Sequence, residues 1–188
     1  MQGVSHAGIL WIILYPKWNI ISIYFFHCFF MSFLVVLSLI EWDRQKLALR
    51  FSIGLVLSFL IPATVLFSLQ PIPAPGFLSS LTGSIPAVSQ FAKLAFGGLV
   101  GAAVAGLIGA VIKQPSHSTL IPAMALAGIV LGWQSVLHVS VLLVLLLLVV
   151  RFVPRLRGSL PAQPTFLLLI AVMIHHPIWK IVFEQISV

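Results

Sequence analysis

Along this chain, apolar runs of membrane-spanning length alternate with short polar breaks. A span needs roughly 20 apolar residues. The first clear run is Ile20–Ile40, with Tyr24, Phe25, Phe26, Phe29 and Phe30 in its first half. The polar stretch 41–50 ends it, and Phe51–Leu69 follows as the second. Pro62 lies inside that run, removes one backbone hydrogen bond and predicts a kink. Gln70–Gln90 reads as a long loop with Pro71, Pro73, Pro75, Gly83 and Pro86. Its apolar residues place it at the membrane surface. Lys93 opens the third run, Leu94–Ile112.

The apolar region from Thr119 to Val150 is too long for one untilted span at about 1.5 Å per residue. Gly132-Trp133-Gln134 is its natural break, giving a short helix Thr119–Trp133 and a span Val136–Val150. The last run is Thr165–Phe183, with His175-His176-Pro177 expected to interrupt its second half. Val4–Tyr15 is short for a span and is stopped by Pro16 and Lys17. It reads as an interfacial or partly inserted segment, which sets residues 1–19 apart from a membrane domain over 20–188. No cleavable signal peptide is evident there, since no positive charge precedes Ile9–Tyr15 and no small-residue cleavage site follows it. The pattern predicts an all-α protein, a multi-spanning membrane helical bundle of about six transmembrane helices.

Composition sharpens this picture. Hydrophobic residues make up 61% of the 188 and charged residues 7%, against about 25% charged in a soluble domain. Such a chain cannot make its folded surface polar, so its solvent is the lipid bilayer. The net charge of +7 does not indicate nucleic acid, because the basic residues are thinly spread and lie at the ends of apolar runs. They gather in loops 41–50 (Arg44, Lys46, Arg50), 113–118 (Lys113) and 151–163 (Arg151, Arg155, Arg157). With six spans these loops fall on one face, which the positive-inside rule makes cytoplasmic. The third run is rich in small residues, and Gly97, Gly101 and Ala105 form two small-xxx-small pairs. Such a face serves either tight packing within the bundle or a dimer interface.

Candidate chemistry is sparse. The single cysteine, Cys28, allows no internal disulfide. Adjacent His175 and His176 point in different directions on a helix. A metal site would need His117 or His138 from elsewhere in the bundle, and nothing in the spacing supports one. No metal and no cofactor are expected. The polar residues deep in spans, such as Ser58 and Thr64, can bond local backbone carbonyls. No acid lies within a span to carry protons, and no inverted repeat is evident, so transport has little in its favour. Nucleotide-binding loops, serine nucleophile elbows and zincin motifs are absent.

Only three residues are acidic: Glu41, Asp43 and Glu184. Leu39-Ile40-Glu41-Trp42-Asp43-Arg44-Gln45-Lys46-Leu47-Ala48 ends the first span, and Ala125-Leu126-Ala127-Gly128-Ile129-Val130-Leu131-Gly132-Trp133-Gln134 lies in the fourth. In order, spacing and topology these stretches resemble the membrane domain of type IV prepilin peptidases, the bacterial aspartic leader peptidases that also process type II secretion pseudopilins. The resemblance runs weakly from Ile20 to Phe183. It implies the bacterial inner (cytoplasmic) membrane, pilin-like or pseudopilin helices as partners, and a pair of catalytic carboxyls. Glu41 stands where that family has its first catalytic Asp, and Asp43 at the accompanying Asp. Ala48 replaces the usual Pro. The second catalytic Asp, preceded by Gly-x-Gly, falls near Thr119-Leu120, where this chain has no acid.

An aspartic protease needs two carboxyls that share a proton. Glu41 and Asp43 are two residues apart and point to different sides of a helix, and Glu184 lies beyond the last span. The expectation is therefore a degenerate member without hydrolysis, acting by binding in a pilus or type II secretion system. Two alternatives remain: a divergent aspartic endopeptidase using Glu41 or Asp43, and a small transporter or channel component. The plain reading of Glu41-Trp42-Asp43-Arg44 is an interfacial anchor whose charges are solvated or paired.

Overall fold

The structure, a computed structural model, describes residues 18–66, 86–112, 117–153 and 163–186. Six helices hold nearly all of these, and no strand occurs among them. They are α1 (Trp18–Trp42), α2 (Leu49–Val65), α3 (Pro86–Ile112), α4 (His117–Leu131), α5 (Trp133–Phe152) and α6 (Pro164–Ile186). Within α1, α3 and α5 lie apolar segments of 22, 25 and 20 residues. At about 1.5 Å per residue each can cross a hydrocarbon core of about 30 Å. The apolar parts of the other three are shorter: Leu49–Val65, Ser118–Leu131 and Pro164–Ile178. Leu99, Leu107, Val111 and Phe152 are exposed on the outside of the bundle. An exterior of that kind would drive aggregation in water and is ordinary in lipid.

α4 is the centre. It packs against all five other helices, and from Pro122 to Leu131 every residue is buried. A helix that is apolar all round has no face to give to a polar solvent, so it is covered on every side. Its small residues Ala123, Ala125, Ala127 and Gly128 let the neighbours come close. The closest is α3, running antiparallel. A methyl group built on Gly97 would overlap the Gly128 carbonyl, and one on Gly128 would overlap the Gly97 carbonyl. One on Gly101 would overlap the carbonyl of Met124. Gly97 and Gly101 thus serve packing within the chain, where backbone meets backbone.

Several boundaries differ from the sequence expectation, each for a local reason. α1 runs two residues past Ile40, so Glu41 and Trp42 belong to its last turn and not to the loop. α2 ends at Val65, four residues short of Leu69, and Pro62 lies one turn before that end. α3 begins at Pro86, well before Leu94, with Lys93 inside it. Proline suits a first helical position because its missing N–H needs no partner. The early start also brings Gln90 inward, where its Nε2 donates to the Ala63 carbonyl near the end of α2 (3.3 Å). The break between α4 and α5 falls within the expected Gly132-Trp133-Gln134 but is confined to Gly132, with Trp133 and Gln134 already in α5. Gly132 has φ of 86°, a positive value that favours glycine. α6 runs unbroken through His175-His176-Pro177, against the expected interruption. Ser58 and Thr64 donate to the Leu55 and Leu60 carbonyls, each at 2.7 Å, as their depth required. Residues 1–17, most of the expected loop 70–90, 113–116 and most of 151–163 lie outside the described residues.

The α3–α4 contact makes a prediction. Gly128→Ala should destabilise the bundle by about 1–3 kcal/mol, the usual effect of overpacking a close contact. Gly106→Ala, where an added methyl meets nothing within 4 Å, should be neutral or stabilising because alanine is the better helix former. Thermal unfolding of both variants in the same detergent measures the difference.

Candidate functional site

The candidate site is built where α1 stops and α6 starts. α1 ends in a Schellman turn: Gln45 N donates to the Ile40 carbonyl (3.1 Å) and Arg44 N to the Glu41 carbonyl (3.0 Å). Arg44 takes the left-handed position at φ of 54°, which for a non-glycine residue costs about 1–2 kcal/mol. This turn separates the acids. Trp42 and Asp43 stay exposed, Trp42 at 55%. Glu41, on the preceding face, is only 4% exposed. The interfacial-anchor expectation therefore holds for the position of Trp42, Asp43 and Arg44. It is corrected for Glu41, which is buried and, among the described residues, is not engaged with a base.

Glu41 has another partner. Its Oε2 accepts a hydrogen bond from the backbone N–H of Thr165 at 2.8 Å. Thr165 is the second residue of α6, after Pro164, and its N–H is one of those that a helix start leaves without an internal acceptor. Gln163 occupies the cap position, and its carbonyl accepts from Leu167 N at 3.1 Å. The capping oxygen, however, comes from Glu41, 124 residues earlier in the chain. An acidic group there also meets the positive end of the helix dipole. The Thr165 hydroxyl donates to the Thr119 hydroxyl (3.4 Å), so the start of α4 joins the same junction. Glu41, Thr119 and Thr165 are all buried. Two further oxygens, Glu41 Oε1 and Gln163 Oε1, are buried without a hydrogen-bond partner among the described residues. Each such acceptor costs about 1–3 kcal/mol.

The structure thus brings Glu41 to the start of α4, the stretch where a second acid would be sought. What stands there is Thr119, bonded to Thr165, and Leu120, 2% exposed. Asp43 faces out. Glu184 lies 19 residues beyond Thr165 on the same helix, about 28 Å along its axis. No second carboxyl among the described residues comes within reach of Glu41. Nothing in the local sequence of Glu41 signalled its capping role, because the helix it caps is distant in the chain.

A second cluster gathers histidines from three helices. His138 on α5 stacks against His175 on α6, with ring centroids 6.1 Å apart. His27 on α1 meets His176 edge to face at 5.3 Å. The Nδ1 atoms of His27 and His138 face the carbonyls of Ile23 and Gln134 at 2.9 and 3.0 Å. A carbonyl can only accept, so both Nδ1 atoms carry hydrogen. Adjacency in sequence made a pairing of His175 with His176 look unhelpful. In the bundle each instead pairs with a different helix. Among the described residues, no three His, Cys, Asp or Glu side chains converge to hold a metal ion.

No family model, curated protein or solved structure matches this chain.

The junction predicts a graded response. Glu41→Ala strips the Thr165 N–H of its acceptor in a buried place and should cost about 1–3 kcal/mol. Glu41→Gln keeps an acceptor oxygen and should recover most of that loss, and Asp43→Ala, at an exposed position, should change stability by less than about 0.5 kcal/mol. Unfolding of the three variants in one detergent separates the roles of the two acids.

Proposed function

We propose that this is a non-hydrolytic bacterial inner-membrane protein built on the plan of type IV prepilin peptidases, with its basic loops in the cytoplasm and a binding role toward pilin-like helices. The observation that carries the proposal is the burial of Glu41 at the α6 start, tied through Thr165 to Thr119. The plan calls for an acid at the end of the first span and another at the start of the fourth. This chain keeps one acid and spends it as a helix cap. A proton-sharing pair needs two carboxyls side by side, one to activate water and one to polarise the scissile carbonyl. With Thr119 and Leu120 at the start of α4, where the plan has its second acid, Glu41 has no partner for that chemistry among the described residues. Ala48, where the family has proline, holds φ of −65°, the value a proline ring would impose. A proline would fit the backbone at that position.

Binding remains available to such a bundle. Lipid-exposed helices recognise other membrane helices through packing, without any catalytic group. Transport is less favoured. The cleft between α2, α3 and α4 is walled by apolar side chains and two serines, whereas a substrate path through a bilayer calls for polar groups at the midplane.

The test uses the full chain in membranes with a prepilin-like substrate. Wild type should leave the leader intact, and photo-crosslinkers at exposed positions of α3 and α5 should capture the substrate's transmembrane helix. Leader removal that disappears in Glu41→Gln or Asp43→Asn would show a working peptidase. Absence of any crosslink would refute the binding role.

A further inference from the structure

The cleft between α2, α3 and α4 has a volume of about 580 Å³, and its shape limits what can fill it. On α2 its wall runs from Leu49 to Leu60, and on α4 from Ser118 to Ile129. Each stretch rises about 16 Å along its helix. That is half of a hydrocarbon core of about 30 Å, the depth of one leaflet. α3 lines the cleft along its length with Ala95, Gly98, Leu99 and Ala102. A transmembrane helix from a partner would need a groove of full bilayer length. An acyl chain needs one leaflet.

Charge marks the shallow end. Leu47 and Leu49 line the cleft there; the connection between α1 and α2 holds Arg44 and Lys46 and the first turn of α2 holds Arg50, all exposed. Arg50 lies one turn before Ile53 on the same stripe of α2, and Ile53 is part of the wall. The exposed acid in that connection is Asp43, set against three cations. Basic residues at the headgroup end of an interhelical groove favour an anionic lipid over a zwitterionic one. We infer that the α2–α3–α4 cleft is a one-leaflet binding groove for an acyl chain of an anionic phospholipid, whose phosphate sits against Lys46 and Arg50. The groove does not depend on the loss of peptidase chemistry, and its test is independent of that reading.

The protein is reconstituted in bilayers that contain phosphatidylglycerol or phosphatidylcholine carrying a photoreactive group midway along one acyl chain. Crosslinks are mapped by mass spectrometry. Phosphatidylglycerol should label Ile53, Leu57, Leu60 and Ile121 at least fivefold above exposed positions elsewhere, such as Val111 and Phe152. Phosphatidylcholine should show no such enrichment. Lys46→Gln with Arg50→Gln should abolish the difference between the two lipids. Val56→Phe with Ala102→Phe should fill the cleft and remove the enrichment. The wild-type map stands alone if that variant does not fold. Even labelling of all lipid-facing positions would overturn the proposal, as would equal enrichment by the zwitterionic lipid. A second protein copy crosslinked through the same residues would overturn it in favour of a dimer interface.

Discussion

The arrangement turns on one hydrogen bond, from the Thr165 amide to the Glu41 carboxyl. In lipid, helices gain little from hiding apolar surface, since the solvent is as apolar as they are. Packing alone therefore leaves register loosely set, and polar ties within the bundle fix it. This one joins α1 to α6, and the Thr165 hydroxyl extends it to Thr119 on α4. Three helices that are far apart in the chain are thereby held at one level. The Schellman turn at Arg44 makes the tie possible, because it stops α1 with Glu41 facing in and Asp43 facing out.

Around that junction the bundle closes on α4. Gly97, Gly101 and Gly128 allow α3 and α4 to touch through their backbones, and the alanines of α4 leave room for the remaining helices. The same geometry explains why the outside can be so apolar. With α4 taking up the inward faces of five helices, their outward faces meet lipid, and the chain has few polar residues to spend elsewhere. Gln90 reaching the Ala63 carbonyl and Ser58 and Thr64 reaching their own helix show how the remaining polar groups are satisfied.

Much of this was legible from residue order alone. The all-helical class followed from the apolar runs, the α4–α5 break from Gly132, and the bonds of Ser58 and Thr64 to their own helix from their depth. The small residues of α3 signalled close contact but not its partner, because Gly128 lies on a different run. Glu41 was read as an exposed anchor, since a Trp-Asp-Arg neighbourhood looks interfacial and burial depends on a helix start 124 residues away. His138 was weighed as a neighbour of His175 and His176 but spacing could not place it there, and His27 was missed, since the two approach α6 from different helices. The extension of α3 back to Pro86 was hidden by a proline-rich stretch whose last proline starts a helix instead of ending one.

The central claim is that the acid at the end of α1 is a structural cap. It is tested most directly by solid-state NMR on the protein in bilayers, with ¹³C in the glutamate carboxyls and ¹⁵N in the threonine amides. The chain's two glutamates are Glu41 and Glu184, so the carboxyl spectrum is simple. One carboxyl carbon, assigned by its disappearance in Glu41→Gln, should lie within about 4 Å of a threonine nitrogen, as a hydrogen bond through its oxygen requires. If neither carboxyl is coupled to a threonine amide, Glu41 does not cap α6, and the account fails at its base.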